Sequence, residues 1–194
     1  MRERPQLILA SASPRRRELL ARLNRPFRVV PPRADETLPK GEPPERAACI
    51  LARRKAESVA AREIRGLVLG ADTLVVAGEA VIGKPRDAHH AAEILTLLSS
   101  QPHDVITGIC ILDTATGRSH EAFDRTRITM RPMTSEQIQE YIASGEPMGK
   151  AGAYAIQETG DRFVERVEGS FSNVVGLPLE LLERLLPEFE DGAA

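Results

Sequence analysis

Residues 66–77 read GLVLGADTLVVA, and Asp72 is the only charged side chain among them. A run this apolar and β-rich, GLVLGAD (66–72) followed by TLVVA (73–77), predicts buried strand. Gly78-Glu79 then predicts a hairpin turn, with AVI (80–82) returning. The flanking sequence decides the kind of sheet. Strand patterns at QLILA (6–10) and FRVVP (27–31) alternate with helical patterns at 14–24 and 45–63. A helix capped by Asp87 and running through Leu98 precedes HDVITGICILD (103–113). Strands alternating with helices argue for an α/β fold. The pair 103–113 and 119–130, joined by a Thr116-Gly117 turn, adds a hairpin and makes the sheet mixed. Thr134 and Gln137 form a capping-box pattern for a helix over 135–144 that Gly145 stops. Strands near 163–167 and 173–176 and a last helix over 178–187 complete the reading. Residues 31–44 hold five prolines and read as a loop. No linker breaks the chain, so a single domain over 1–194 is expected.

The net charge is −2 with 28% charged residues, so no global field draws the chain to nucleic acid or to anionic lipid. Any anion site must be local. Cys49 and Cys110 lie in apolar surroundings without motif spacing, which predicts reduced core residues and a reducing compartment. No stretch has the length of a signal peptide core or a membrane span, so a cytoplasmic protein is expected. Walker, Gly-x-Gly-x-x-Gly, Cys-x-x-Cys, His-Glu-x-x-His and Gly-x-Ser-x-Gly signatures are all absent.

What stands out is charge at strand ends. SASPRR (11–16) follows the first strand, with Ser13 as helix cap and Pro14 in the first turn. Cations there oppose the helix dipole unless an anion offsets them, so Arg15 and Arg16 read either as a solvated first turn or as a phosphate contact. Asp72, at the end of a buried run, is either a turn cap or a carboxylate that binds metal or titrates. Lys55 beside Arg53 and Arg54, Lys84 in Gly-Lys-Pro, and Asp35-Glu36 in the proline-rich loop each read by default as solvated charge. Together, though, Arg15, Arg16, Lys55 and Lys84 suit a polyphosphate. Asp72, Asp35 and Glu36 suit Mg²⁺ or the activation of water. GKAGAYAIQ (149–157) is small-residued and carries one amide, Gln157, which suits a nucleobase edge; a tight packing crossover is the alternative.

The ordered segments LASASPRR, GADTLVV, GKP, HDVITG, KAGAYAIQ and NVVGLPL resemble the Maf family of nucleoside triphosphate pyrophosphatases, from about Leu7 to Leu182. The resemblance implies an elongated mixed β-sheet flanked by helices, with two lobes and a central cleft. It also implies hydrolysis of a nucleoside triphosphate to the monophosphate and pyrophosphate with a divalent cation, Mg²⁺ or Mn²⁺. By this resemblance Asp72 is the proton acceptor, and Ser11, Arg15, Arg16, Lys55 and Lys84 contact substrate. Asp35 or Glu36 supports the metal together with Asp72. Arg15, Thr73 and Gln157 stand where the dTTP- and UTP-hydrolysing branch carries Arg, Thr and Gln. The 7-methyl-GTP branch carries Trp after Ser-Pro and Gln after the Asp. Two positions depart from the family pattern: Gly149 replaces an Asp and Ala155 a Gly. The rival reading is a non-catalytic nucleotide-binding regulator of septum formation. A homodimer is the expected assembly, because enzymes of this size often pair.

Overall fold

The computed structural model describes residues 5–62, 65–157 and 159–190. Among the described residues, seven strands and six α-helices occur in the order β1 (Leu7–Ala10), α1 (Pro14–Ala21), β2 (Phe27–Val29), α2 (Pro44–Ala60), β3 (Leu67–Ala77), β4 (Ala80–Ile82), α3 (Ala88–Ser100), β5 (His103–Asp113), β6 (Ser119–Met130), α4 (Ser135–Ala143), β7 (Val164–Glu168), α5 (Phe171–Val175) and α6 (Leu179–Glu190). The sheet is mixed, in the order β2-β1-β3-β5-β6-β7, with β4 pairing β3. β1 runs parallel to both β2 and β3, whereas β4 returns antiparallel to β3 with Val75 opposite Ile82.

Several expectations need correction. Residues 173–176 do not form a strand, because 171–175 are helix α5. Ser170 Oγ accepts from the Asn173 amide at 3.1 Å, a local bond of the kind that starts a helix, and it overrides the β-branched Val174-Val175 pair. The first helix stops at Ala21 rather than 24, as the chain turns through Asn24 at φ 48°. Helix α2 ends at Ala60, capped by Ala61, short of the expected 63, which itself lies outside the described residues.

The chain divides into two compact units. The first comprises residues up to Asp72, Thr107–Asp124 and the chain from Gly176 onward; the second comprises Thr73–Ile106 and Arg125–Val175. β3, β5 and β6 each contribute residues to both.

In the first unit, α2 lies on the sheet through a stripe of small residues. Ala52, Ala56 and Val59 pack with Ile8, Ala10, Val68 and Cys110. The contact is backbone to backbone. A Cβ added at Gly70 of β3 would come within 2.1 Å of the Ala52 carbonyl oxygen, and one at Gly108 of β5 within 2.3 Å of the Ala48 carbonyl carbon. Only glycine beneath alanine allows this approach. Burial pushes the thiols of Cys49 and Cys110 up to about 11 and about 12, and both are unpaired.

In the second unit, α3 supplies Ala91, Ile94, Leu95 and Leu98 to a core shared with Val75, Val105, Ile128, Tyr141, Tyr154 and Phe163. α4 carries the expected capping box, Thr134 and Gln137 each bonding the other's backbone amide. His103 is buried and shares a 2.8 Å hydrogen bond between its Nε2 and the Tyr154 hydroxyl. Burial lowers its pKa to about 4, with Asp104 opposing, so it packs as a neutral ring. Asn173 is also buried, donating to the Val105 carbonyl at 3.0 Å and to Thr126 Oγ1 at 2.9 Å.

Candidate active site

The close seating of α2 sets the first unit's chemistry. Lys55 lies three residues after Ala52 and four before Val59, on the buried stripe of the helix, whereas its neighbours Arg53 and Arg54 do not share that stripe. Its side chain is 9% exposed, and Nζ donates to Asp72 Oδ1 at 2.6 Å. The same ammonium lies 2.9 Å from Glu36 Oε1. Asp72 does not end a strand, as the sequence suggested, but lies inside the continuous strand β3. One cation thus draws together two carboxylates, one from mid-strand and one from a proline-rich loop. Desolvating such a pair costs much of what attraction returns, so stability alone is a poor reason to hold it there.

Asp35 goes elsewhere. Its carboxylate accepts from the Thr37 amide at 2.9 Å and lies 3.6 Å from Arg54. The hydrogen bonds from Thr37, first its side chain and then its backbone, hold Asp35 below the usual carboxylate range. Arg54 also donates to the Thr37 carbonyl at 2.9 Å, fixing the loop so that the adjacent Glu36 meets Lys55. The sequence left Asp35 and Glu36 equivalent; the structure separates them.

Helix α1 begins as expected, with Ser13 Oγ accepting from the Arg16 amide. Ser11 is buried, and its Oγ accepts from the Ser13 amide at 3.1 Å. Arg16 donates through Nε to the Gly176 carbonyl and through Nη1 to the Ala71 carbonyl, both at 2.8 Å. Burial lowers its pKa, with Asp72 opposing and Arg15 adding to the fall. Arg16 therefore braces the residue that precedes Asp72, a role its place in the motif did not indicate.

Thr73, Lys84 and Gln157 belong to the second unit. Thr73 is half-buried, while Lys84 and Gln157 are exposed. The Gly83 carbonyl beside Lys84 accepts from the Gly152 amide at 3.3 Å, linking the lysine turn to the segment that carries Gln157. Gly152 has φ +74°, and a Cβ there would press on Val75 and Leu98 at 3.2–3.3 Å, so this turn needs glycine. Glu146 was absent from the sequence reading. It accepts hydrogen bonds from Tyr141 and from Thr159 and Gly160, on either side of that segment. A lone Glu after a helix stop gives no periodic signal by which to find it.

Among the described residues, no group of three or more His, Cys, Asp or Glu side chains forms a metal cluster. Among the same residues, no helix is long and apolar enough to cross a membrane.

These features define an α/β protein on a mixed sheet, with a lysine clamped between two carboxylates beside an arginine-bearing helix start. The chain belongs to the Maf family: the family model described as Maf-like protein matches residues 6–189. A relative from Myxococcus xanthus named dTTP/UTP pyrophosphatase is 51% identical over 183 residues, covering 92% of this chain and 91% of the relative. One of the same name from Moorella thermoacetica is 48% identical over 184 residues, 95% of each. A solved nucleoside-triphosphatase / dITP/XTP pyrophosphatase from Mycobacterium abscessus aligns at 16% identity with a TM-score of 0.40, over 72% of this chain and 95% of that one, too remote to define anything further.

Proposed function

We propose that the chain, working as one Maf-like domain, hydrolyses dTTP and UTP to the monophosphate and pyrophosphate. The observation that carries this reading is the Lys55 clamp, 2.6 Å from Asp72 and 2.9 Å from Glu36. The names of the relatives support the substrates, and so do Arg15, Thr73 and Gln157 at the branch-defining positions.

In this reading, water attacks the α-phosphorus and pyrophosphate leaves. Asp72 takes the proton from that water. Lys55 holds one of its oxygens and so fixes the direction of the other. Lys55, Arg15 and Arg16 offset phosphate charge in the first unit, with Ser11 supporting the loop between them. Lys84 serves as a further phosphate cation, and Gln157 presents N–H and C=O to the O4 and N3–H of uracil or thymine. Thr73 belongs to the same pyrimidine-triphosphate signature.

The residues fit a divalent cation. Mg²⁺ commonly takes only one or two carboxylates, filling its shell with water and substrate phosphates, so Glu36 and Asp72 on one ammonium are a suitable donor pair. Glu36 and Asp72 would hold it, and Asp35 would not. When bound, such an ion supplies Lewis-acid stabilisation of phosphate charge. The free, buried cysteines support a reducing, cytoplasmic setting.

A panel of triphosphates with Mg²⁺ and product identification tests the reading. Pyrophosphate and monophosphate from dTTP and UTP are expected, and Asp72→Asn should lose turnover by on the order of 10²-fold with the fold intact. Orthophosphate as sole product would mean attack at the γ-phosphorus, and full activity in that variant would remove Asp72 from its role. Nucleotide binding without turnover would favour the regulator.

A further inference from the structure

Gln157 is exposed, on a segment with little regular structure. A base-reading amide needs a fixed backbone, and the second unit contains one. Glu146 follows the end of α4 and extends its carboxylate to that segment. Its Oε1 accepts from the Tyr141 hydroxyl at 2.6 Å and from the Gly160 amide at 3.1 Å. Its Oε2 accepts from the Thr159 amide at 3.1 Å and from the Thr159 hydroxyl. The Tyr141 oxygen in turn accepts from the Ala155 amide at 3.4 Å. Ala155 lies two residues before Gln157 and Thr159 two after it, so one carboxylate and one phenol tie down both flanks.

The anchor is itself held. Tyr141 is 1% exposed and packs on Phe163 with ring centroids 5.4 Å apart. Gly160 fits because it lacks a side chain: a Cβ there would fall 2.5 Å from the Tyr141 hydroxyl and 2.7 Å from the Ala155 carbonyl oxygen. Burial works against the charge on Glu146. The bonds from Thr159, Tyr141 and Gly160, and the charge of Lys150, outweigh it and hold the carboxyl below the usual range. A half-buried charge with this many hydrogen bonds orders the chain around it.

We infer that Glu146 is a positioning residue for base selection: with Tyr141 it holds Ala155 on one side and Thr159 and Gly160 on the other, and through these flanks the amide of Gln157. The inference rests on the proposed reading of the base by Gln157. It makes selectivity depend on a residue that need not touch the substrate.

The test compares kcat/KM for UTP and CTP, which differ at the edge an amide reads, in wild type, Glu146→Gln, Tyr141→Phe, Gln157→Ala and the double variant Glu146→Gln/Gln157→Ala. Glu146→Gln keeps the shape but replaces one acceptor oxygen with a donor. It should lower the UTP-over-CTP preference by about 10-fold, with Tyr141→Phe following in the same direction. Added to Gln157→Ala, it should lower that preference no further. Amide hydrogen exchange at Thr159 and Gly160 should quicken in Glu146→Gln. If Gln157→Ala lowers the preference but neither Glu146→Gln nor Tyr141→Phe does, Glu146 is merely structural and the inference fails, while Gln157 keeps its role. If Gln157→Ala leaves the preference unchanged, the base-reading role fails and the inference with it. Should Glu146→Gln not fold, Tyr141→Phe, which removes only a hydroxyl, decides alone.

Discussion

Gly70→Ala adds a single methyl group at the point where α2 rests on β3. Its Cβ would lie 2.1 Å from the Ala52 carbonyl oxygen and 2.8 Å from the Ala56 nitrogen, both backbone atoms that no rotamer change can move aside. Ordinary contact begins at 3.4 Å, so the helix must recede by about 1.3 Å. Overpacking of this kind costs about 1–3 kcal/mol. The functional loss should be larger than the stability loss implies. Lys55 immediately precedes Ala56, and its 2.6 Å bond to Asp72 cannot survive a retreat of that size at hydrogen-bonding length. A misplacement of about 1 Å can lower a rate on the order of 10²-fold. Urea unfolding gives the stability change, and pyrophosphate release from dTTP, measured where the variant is fully folded, gives the rate. A variant with the wild-type urea midpoint and wild-type turnover would refute the claim that glycine at 70 sets the reach of Lys55.

Glu36→Gln should raise the Mg²⁺ concentration needed for half-maximal turnover by about 10-fold, whereas Asp35→Asn should leave it unchanged; metal titration of dTTP hydrolysis checks the contrast. His103 should make folding acid-sensitive. Its native pKa of about 4 lies below the 6.5 of an ordinary His, so the unfolded chain binds the extra proton between those values. The stability from keeping it neutral is present above pH 6.5 and fades as pH falls toward 4, roughly 3 kcal/mol in all. His103→Gln should flatten the pH dependence of the urea midpoint in that window; an unchanged slope would refute this.

Much of this architecture is legible because strands and helices differ in period. The β3–β4 hairpin, the α4 capping box and the Ser13 cap follow from patterns a few residues long, and the structure contains all three. Residues 173–176 misled because adjacent valines favour a strand, whereas a local bond to Ser170 starts a helix there and Val105 and Thr126, distant in sequence, hold the buried Asn173 side chain. The site was legible as a set of residue types, but not as pairings. Asp35 and Glu36 are neighbours with the same chemistry, and Arg54, across the loop, decides which one meets Lys55. Lys55 did carry a signal. It is the one member of the Arg-Arg-Lys triplet that falls on the alanine face of α2. Glu146 carried none, since its partners gather only when the chain folds back on Tyr141.

The alanine stripe of α2 sets a boundary on how this enzyme can change. With glycine beneath it at 70 and 108, the helix has no room to enlarge a side chain, rotate or slide. New chemistry in descendants of this chain would have to arise on loops and exposed turns. The lysine that reaches the middle of β3 would stay at the height its least reactive neighbours dictate.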